Sequence, residues 1–263
     1  MPELITSVHN PLAKQIRSLR QKKGREESGL FLAEGIHPVG EAIEAGWPIE
    51  TLVYAPDHLK SDFASRLVSE RLSRGLPCAA VASALFTDLA GKENPQGILA
   101  IIRQRHMDLE AAGSVNIHLA AALVSPQDPG NVGTILRTLD AVNADALFLL
   151  DGGVELYHPS VVRASMGTLF WKPMIQASFQ EFIAWAKERG FFLIGTSAHA
   201  QTDYRQLEGV KKPAILIFGS EQKGLLPEQL AGCDLSVSLP MKGRVSSLNL
   251  GVAAGILLYK MME

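Results

Sequence analysis

From residue 117 onward, the chain carries short, largely apolar runs separated by stretches in which apolar residues recur at helical spacing. The runs are Ile117 to Val124, Ala146 to Leu150, Phe191 to Gly195, Ala214 to Phe218 and Leu235 to Leu239. A strand wetted on one face alternates apolar with polar positions. Runs apolar on both faces and separated by helices predict a parallel sheet covered on both sides. In such a sheet the ligand site lies beyond the carboxyl ends of the strands.

The first hundred residues alternate in shorter pieces, as compact α/β domains do. Asn10-Pro11 predicts a helix start, Phe31-Leu32-Ala33 and Leu52-Val53-Tyr54 short buried strands, and Ile36 to Ala45 a helix between them. From Asp62 to Arg74 the spacing of Phe63, Leu67, Val68 and Leu72 is that of an amphipathic helix. Another strand is expected near Ala79-Ala80-Val81, and Gly97 to Ile102 closes the region. The polar, charged stretch from Arg103 to Asn116 reads as a linker, which gives two domains, 1–103 and 117–263, joined by 104–116.

The totals narrow the class. Of 263 residues, 47% are hydrophobic and 20% charged, ordinary globular values that argue against a largely disordered chain. No apolar run is long enough to cross a bilayer, and Met1-Pro2-Glu3-Leu4-Ile5 lacks the layout of a secretion signal, so the cytoplasm is the expected compartment. Cys78 and Cys233 stand far apart in apolar stretches, where small buried hydrophobes are expected and neither a disulfide nor a metal site is. A net charge of −2 supplies no overall field for nucleic acid, so any such binding needs a local concentration of basic groups. Lys14, Arg17, Arg20, Lys22, Lys23 and Arg25, with no acidic residue among them, form one. A solvated helix face is an equally good reading of that run.

Three segments after strand ends hold residue types that core packing does not require. In Pro129 to Thr138, Asn131 is expected to cap a helix. Ile135, Leu136, Leu139 and Val142 form its apolar stripe, which leaves Arg137 facing water, a partner or a substrate. The second segment passes abruptly from an apolar strand to Gly219-Ser220-Glu221, where a glycine lets a ligand approach the backbone; an ordinary turn is the plain alternative. The third is Leu239 to Asn249, leading into an apolar helix through Tyr259. There Ser246 or Ser247 is the expected cap, and Asn249 is expected to be buried with hydrogen-bond partners.

In this order the segments resemble the three signature motifs of the SpoU (TrmH) family of RNA 2′-O-ribose methyltransferases, in the SPOUT class. The most specific part is Val245-Ser246-Ser247-Leu248-Asn249 after Leu-Pro-Met-x-Gly. Phe31-Leu32-Ala33-Glu34-Gly35 resembles the ribosomal-protein-like substrate-binding domain that many members carry in front, and Arg163-Ala164-Ser165-Met166-Gly167 is similar to a recurrent family segment.

The resemblance implies a small α/β amino-terminal domain followed by a SPOUT α/β domain with a carboxyl-terminal trefoil knot. It also implies a homodimer with active sites at the subunit interface, and S-adenosyl-L-methionine as cofactor. Gly219, Leu239 and Leu248 are then the cofactor contacts, with Met241 and Thr196 as neighbours. The lack of a Gly-x-Gly-x-x-Gly loop fits, because this cofactor has no pyrophosphate to cradle. Arg137 is the residue implied to assist transfer, with Asn131, Glu221, Ser247 and Asn249 shaping the site. An arginine is effectively always protonated, so Arg137 suits holding a phosphate or stabilising a developing alkoxide better than accepting a proton. Glu221 is expected to orient. The small residues Gly251, Ala253, Ala254 and Gly255 in the last helix fit either the family dimer or an intrachain contact.

The front domain makes 23S ribosomal RNA the expected substrate, ahead of transfer RNA. A non-catalytic RNA-binding protein is the rival reading, opposed by the intact motif set. An enzyme of small nucleotides is another, opposed by the basic segment.

Overall fold

The structure is a computed structural model that describes residues 3–91 and 94–262; Met1 and Pro2 of the amino-terminal stretch lie outside it. The chain forms two compact units. The first is Met1–Arg105 together with Leu156–Trp171, and the second is His106–Glu155 together with Lys172–Glu263.

The first unit is built on a five-stranded mixed sheet. Its strands are β1 (Leu4–Ile5), β2 (Leu30–Glu34), β3 (Ile49–Tyr54), β4 (Cys78–Val81) and β5 (Ile98–Arg103), in the order β1-β4-β3-β5-β2. Helices cover it because β2 and β5 are apolar on both faces. On one side Leu30, Leu32, Leu99 and Ile101 pack with Ile16, Leu19 and Phe86. On the other, Phe31 meets Trp47, Tyr157 and Phe170, its ring centroid 4.4 Å from that of Tyr157. Trp47 Nε1 donates to the Phe170 carbonyl at 2.9 Å. Tyr157 and Phe170 belong to the inserted segment, whose helix Pro159–Ala164 lies against β2.

The basic segment keeps Lys14, Lys22 and Lys23 exposed on helices, in keeping with a solvated face. It is two helices, Pro11–Leu19, capped by Asn10, and Lys22–Ser28. Arg17 meets Asp88 at 2.6 Å, Arg20 meets Glu34 at 3.0 Å, Lys22 meets Glu26 at 3.5 Å and Lys23 meets Glu27 at 3.7 Å. Arg25 is buried and donates to the Leu19 carbonyl. The carboxylate partners all lie outside the window from Lys14 to Arg25.

The second unit is a wholly parallel seven-stranded sheet. Its strands are β6 (Leu119–Val124), β7 (Ala146–Leu150), β8 (Met174–Ala177), β9 (Phe192–Thr196), β10 (Thr202–Asp203), β11 (Ala214–Phe218) and β12 (Leu235–Ser238). The order is β10-β12-β9-β11-β6-β7-β8. Every residue of β6, β7 and β11 is buried, as the unbroken apolar runs require. From β6 the chain moves outward through β7 to β8, while β11 and β9 lie on the other side. The direction of winding therefore reverses between β6 and β11, the place where such sheets open a crevice. The polar stretch read as a linker is ordered on this unit: Met107 bridges to Ile175, and the helix Leu109–Ala112 buries Ala112 in the core.

The last helix, Leu250–Lys260, packs against Pro129–Ala141 and buries Leu250, Ala254, Leu257 and Leu258. Gly251 makes that approach possible, since a Cβ there would stand 3.3 Å from Thr134 Cγ2, so part of the small-residue set serves an intrachain contact. The opposite face leaves Val252, Ile256 and Tyr259 exposed by 52%, 36% and 54%. Among the described residues no helix is long and apolar enough to cross a membrane, and no group of ligating side chains suits a metal ion.

Candidate active site

A cavity of about 820 Å³ opens at the carboxyl ends of the strands on the β11 side of the reversal. The three segments singled out in the sequence converge on it. Asn131, Thr196, Gly219, Glu221, Leu239, Met241, Ser247, Leu248 and Asn249 all line it. Arg137 does not. It sits exposed on the Pro129–Ala141 helix, and among the described residues its side chain has no hydrogen-bond or ion-pair partner.

The convergence rests on a chain of hydrogen bonds between segments far apart in sequence. Glu221 Oε1 accepts from Asn131 Nδ2 at 2.8 Å and from the Asp128 amide at 3.2 Å. Its Oε2 accepts from the Gln127 amide at 2.9 Å. Asn131 Oδ1 in turn accepts from Asn249 Nδ2 at 2.9 Å. A carboxylate with this many donors orders the loops that carry them. Burial works to raise the Glu221 pKa, but the hydrogen bonds from Asn131 and from the amides of Gln127, Glu221 and Asp128 outweigh it and hold the carboxyl below its ordinary value. A carboxyl so held is a poor proton acceptor and a good structural anchor.

The shift has a measurable consequence. A carboxyl whose pKa is lowered on folding adds stability above its ordinary value and loses it as pH falls through the lower, folded value. The Tm deficit of Glu221→Gln relative to the native chain is therefore expected to be present at pH 7 and to narrow below about pH 4. Parallel thermal melts from pH 7 to 3 measure it, and a deficit constant across that range would contradict the assignment.

Several local expectations change. Asp128, not Asn131, caps the Pro129–Ala141 helix, its Oδ1 accepting from the Gly130 amide at 2.7 Å. Asp-Pro is itself a helix-start signal, with the cap followed by proline in the first turn. Asn131 lies inside that turn, only 6% exposed, and is thereby freed to link Glu221 to Asn249. The last helix is capped by Asn249 rather than by Ser246 or Ser247, its Oδ1 accepting from the Val252 amide at 3.2 Å. Asn249 is exposed rather than buried, although both ends of its amide are bound.

Gly219 is required by the packing of its own chain as well. A Cβ on it would fall onto the Gly224 carbonyl and the Leu225 nitrogen, because the Ser220–Gly224 loop folds back on the strand end. Thr196 Oγ1 donates to the Ile217 carbonyl at 3.1 Å, tying β9 to β11 at the cavity floor. Ser197, His199 and Lys223 also line the cavity and were not anticipated; only their position just after strand ends would have flagged them.

The chain belongs to the SpoU rRNA Methylase family, whose model matches residues 118–259. A second model, the MRM3-like substrate binding domain, matches residues 10–100. The chain is 32% identical to the 23S rRNA (uridine(2479)-2'-O)-methyltransferase of Streptomyces viridochromogenes, over 92% of this chain and 85% of that one. It is 30% identical to the 23S rRNA (guanosine(2553)-2'-O)-methyltransferase RlmP of Bacillus subtilis, over 97% of each. The crystal structure of an AdoMet-bound rRNA methyltransferase from Sinorhizobium meliloti superposes with a TM-score of 0.88 at 34% identity, covering 98% of this chain and 97% of that one.

Proposed function

We propose that this chain transfers a methyl group from S-adenosyl-L-methionine to a ribose 2′-hydroxyl of 23S ribosomal RNA. The observation that carries the reading is the hydrogen-bonded chain Glu221–Asn131–Asn249, which ties the three motif segments around one cavity. Relatives of matching length named for 23S ribosomal RNA favour that substrate over transfer RNA.

The cavity suits the cofactor. Its volume is typical of a small-molecule site. Leu239, Met241 and Leu248 give it apolar walls for a flat purine, and the amides just beyond β11 and β12 offer partners for the ring edge. When bound, S-adenosylmethionine supplies a methyl carbon activated by a positive sulfur. The chain's own residues hold the geometry. Glu221, fixed as an anion, keeps the Gln127–Asn131 loop against the cavity, and Asn249 locks the carboxyl-terminal loop to it. Transfer needs in-line positioning and stabilisation of charge growing on the ribose oxygen. Ser247 lines the cavity, and Arg137, which lies outside the cavity of its own chain, is read as supplying the latter as a permanent cation across the subunit interface.

The carboxyl-terminal segment is read as the trefoil knot of the family, the first unit as the RNA-binding domain, and the compartment as the cytoplasm. The assembly is a homodimer. Val252, Ile256 and Tyr259 recur at helical spacing on the exposed face of the last helix, an apolar stripe that a second copy would cover. Val252→Asp with Ile256→Asp is expected to give monomers in analytical ultracentrifugation, and dimers that persist would remove this assignment.

The function is tested by incubating the purified chain with radiolabelled S-adenosylmethionine and unmodified transcripts of 23S ribosomal RNA and transfer RNA, then mapping the ribose methylation. Label on the 23S transcript at one 2′-oxygen is expected. Label on a base, or on neither RNA, would overturn the proposal.

A further inference from the structure

An RNA backbone is held by cations, and most of those in the stretch of sequence richest in them already face a carboxylate. Of the six basic residues from Lys14 to Arg25, four meet a carboxylate and Arg25 is buried. Only Lys14 stands without a charge partner among the described residues.

The cavity mouth is different. Leu239–Asn249 is an extended loop without regular structure, and Met241 and Ser246 line the cavity from within it. Between them, Lys242 and Arg244 are exposed, and neither side chain has a hydrogen-bond or ion-pair partner among the described residues. Lys242 interacts electrostatically with the Asp203 carboxylate, which is already gripped by Arg205 at 2.8 and 2.6 Å. Lys223, also exposed, lines the same cavity from the Ser220–Gly224 loop. The loop also presents apolar surface, with Val245 62% and Leu248 37% exposed. Cations beside exposed apolar side chains are what a ribose-phosphate chain with an unstacked base requires.

We propose that the RNA backbone on either side of the target ribose is gripped at the cavity mouth by Lys242 and Arg244, with Lys223 opposite, and not by the basic amino-terminal helices. The inference rests on the reading of the chain as an RNA methyltransferase and adds where the phosphates are held. One loop then closes on the cofactor with Met241 and Leu248 and on the RNA with the residues between them. Binding of the two ligands is thereby linked through a single ordered segment.

The test is the salt dependence of binding. Full-length protein is titrated with a fluorescein-labelled 23S ribosomal RNA transcript from 50 to 200 mM salt. K242A/R244A is compared with K14A/K22A/K23A, and cofactor affinity is measured alongside by calorimetry. Each lost phosphate contact lowers the slope of log K against log salt by about 0.7–0.9. The loop pair is expected to lower it by about 1.5 and to weaken binding on the order of tenfold at 0.1 M salt. The helix triple is expected to lower it by less than about 1. If the alanine pair loses cofactor binding, its loop has been disturbed, and K242Q/R244Q is read in the same way. A normal slope in the loop pair, or a large loss in the helix triple, overturns the inference. Failure of the native protein to methylate any RNA would instead overturn the functional reading on which it rests.

Discussion

Arg137→Ala is expected to lower the rate of methyl transfer by at least about 10²–10³-fold, the usual cost of removing one group that stabilises charge in a transition state. Cofactor affinity should stay close to native, because Arg137 does not line the cavity. Stability should also hold within about 0.5 kcal/mol, since the side chain is exposed and without partners among the described residues. Arg137→Lys keeps the charge but loses the planar fork, and is expected to recover only a small part of the rate. Single-turnover assays with radiolabelled cofactor, paired with calorimetry, separate the two effects. Normal turnover in Arg137→Ala would refute the role.

Gly219→Ala should act on the opposite quantity. The added methyl meets backbone atoms of Gly224 and Leu225, which no rotamer change can move aside. The Ser220–Gly224 loop has to shift, and with it Glu221, the common acceptor of the site. Overpacking of this kind costs about 1–3 kcal/mol. A lower Tm is therefore expected, with cofactor affinity reduced by more than about tenfold, as a displaced pocket wall of 1.4 kcal/mol or more implies. Gly243→Ala is the natural control, because a Cβ there meets nothing within 4 Å. Native affinity in Gly219→Ala would show that the turn after β11 does not shape the pocket.

Much of the second unit was legible because its strands are buried on both faces, so β6, β7 and β11 announce themselves as unbroken apolar runs. β8 escaped notice: it is four residues long and interrupted by the exposed Gln176. The residues that line the cavity were legible as a set because each motif follows a strand end, yet the helix caps expected among them were wrong. The caps fall on Asp128 and Asn249, and Gly219 has in addition to admit its own chain. Hydrogen bonds such as Asn131 to Glu221, 90 residues apart, belong to the folded arrangement and leave no trace in local spacing. The same holds for the basic helices. Asp88, which meets Arg17 from 71 residues away, cannot be seen in a charge count over a short window.

The insertion of Leu156–Trp171 into the first unit bears on how the protein comes into being. Phe31 obtains two of its aromatic neighbours, Tyr157 and Phe170, only from chain made more than 120 residues later. During synthesis the amino-terminal part of the first unit must therefore wait, its aromatic cluster incomplete, until the ribosome has delivered residue 170. A gene fragment ending near Arg105 should yield an aggregation-prone product rather than a tidy module.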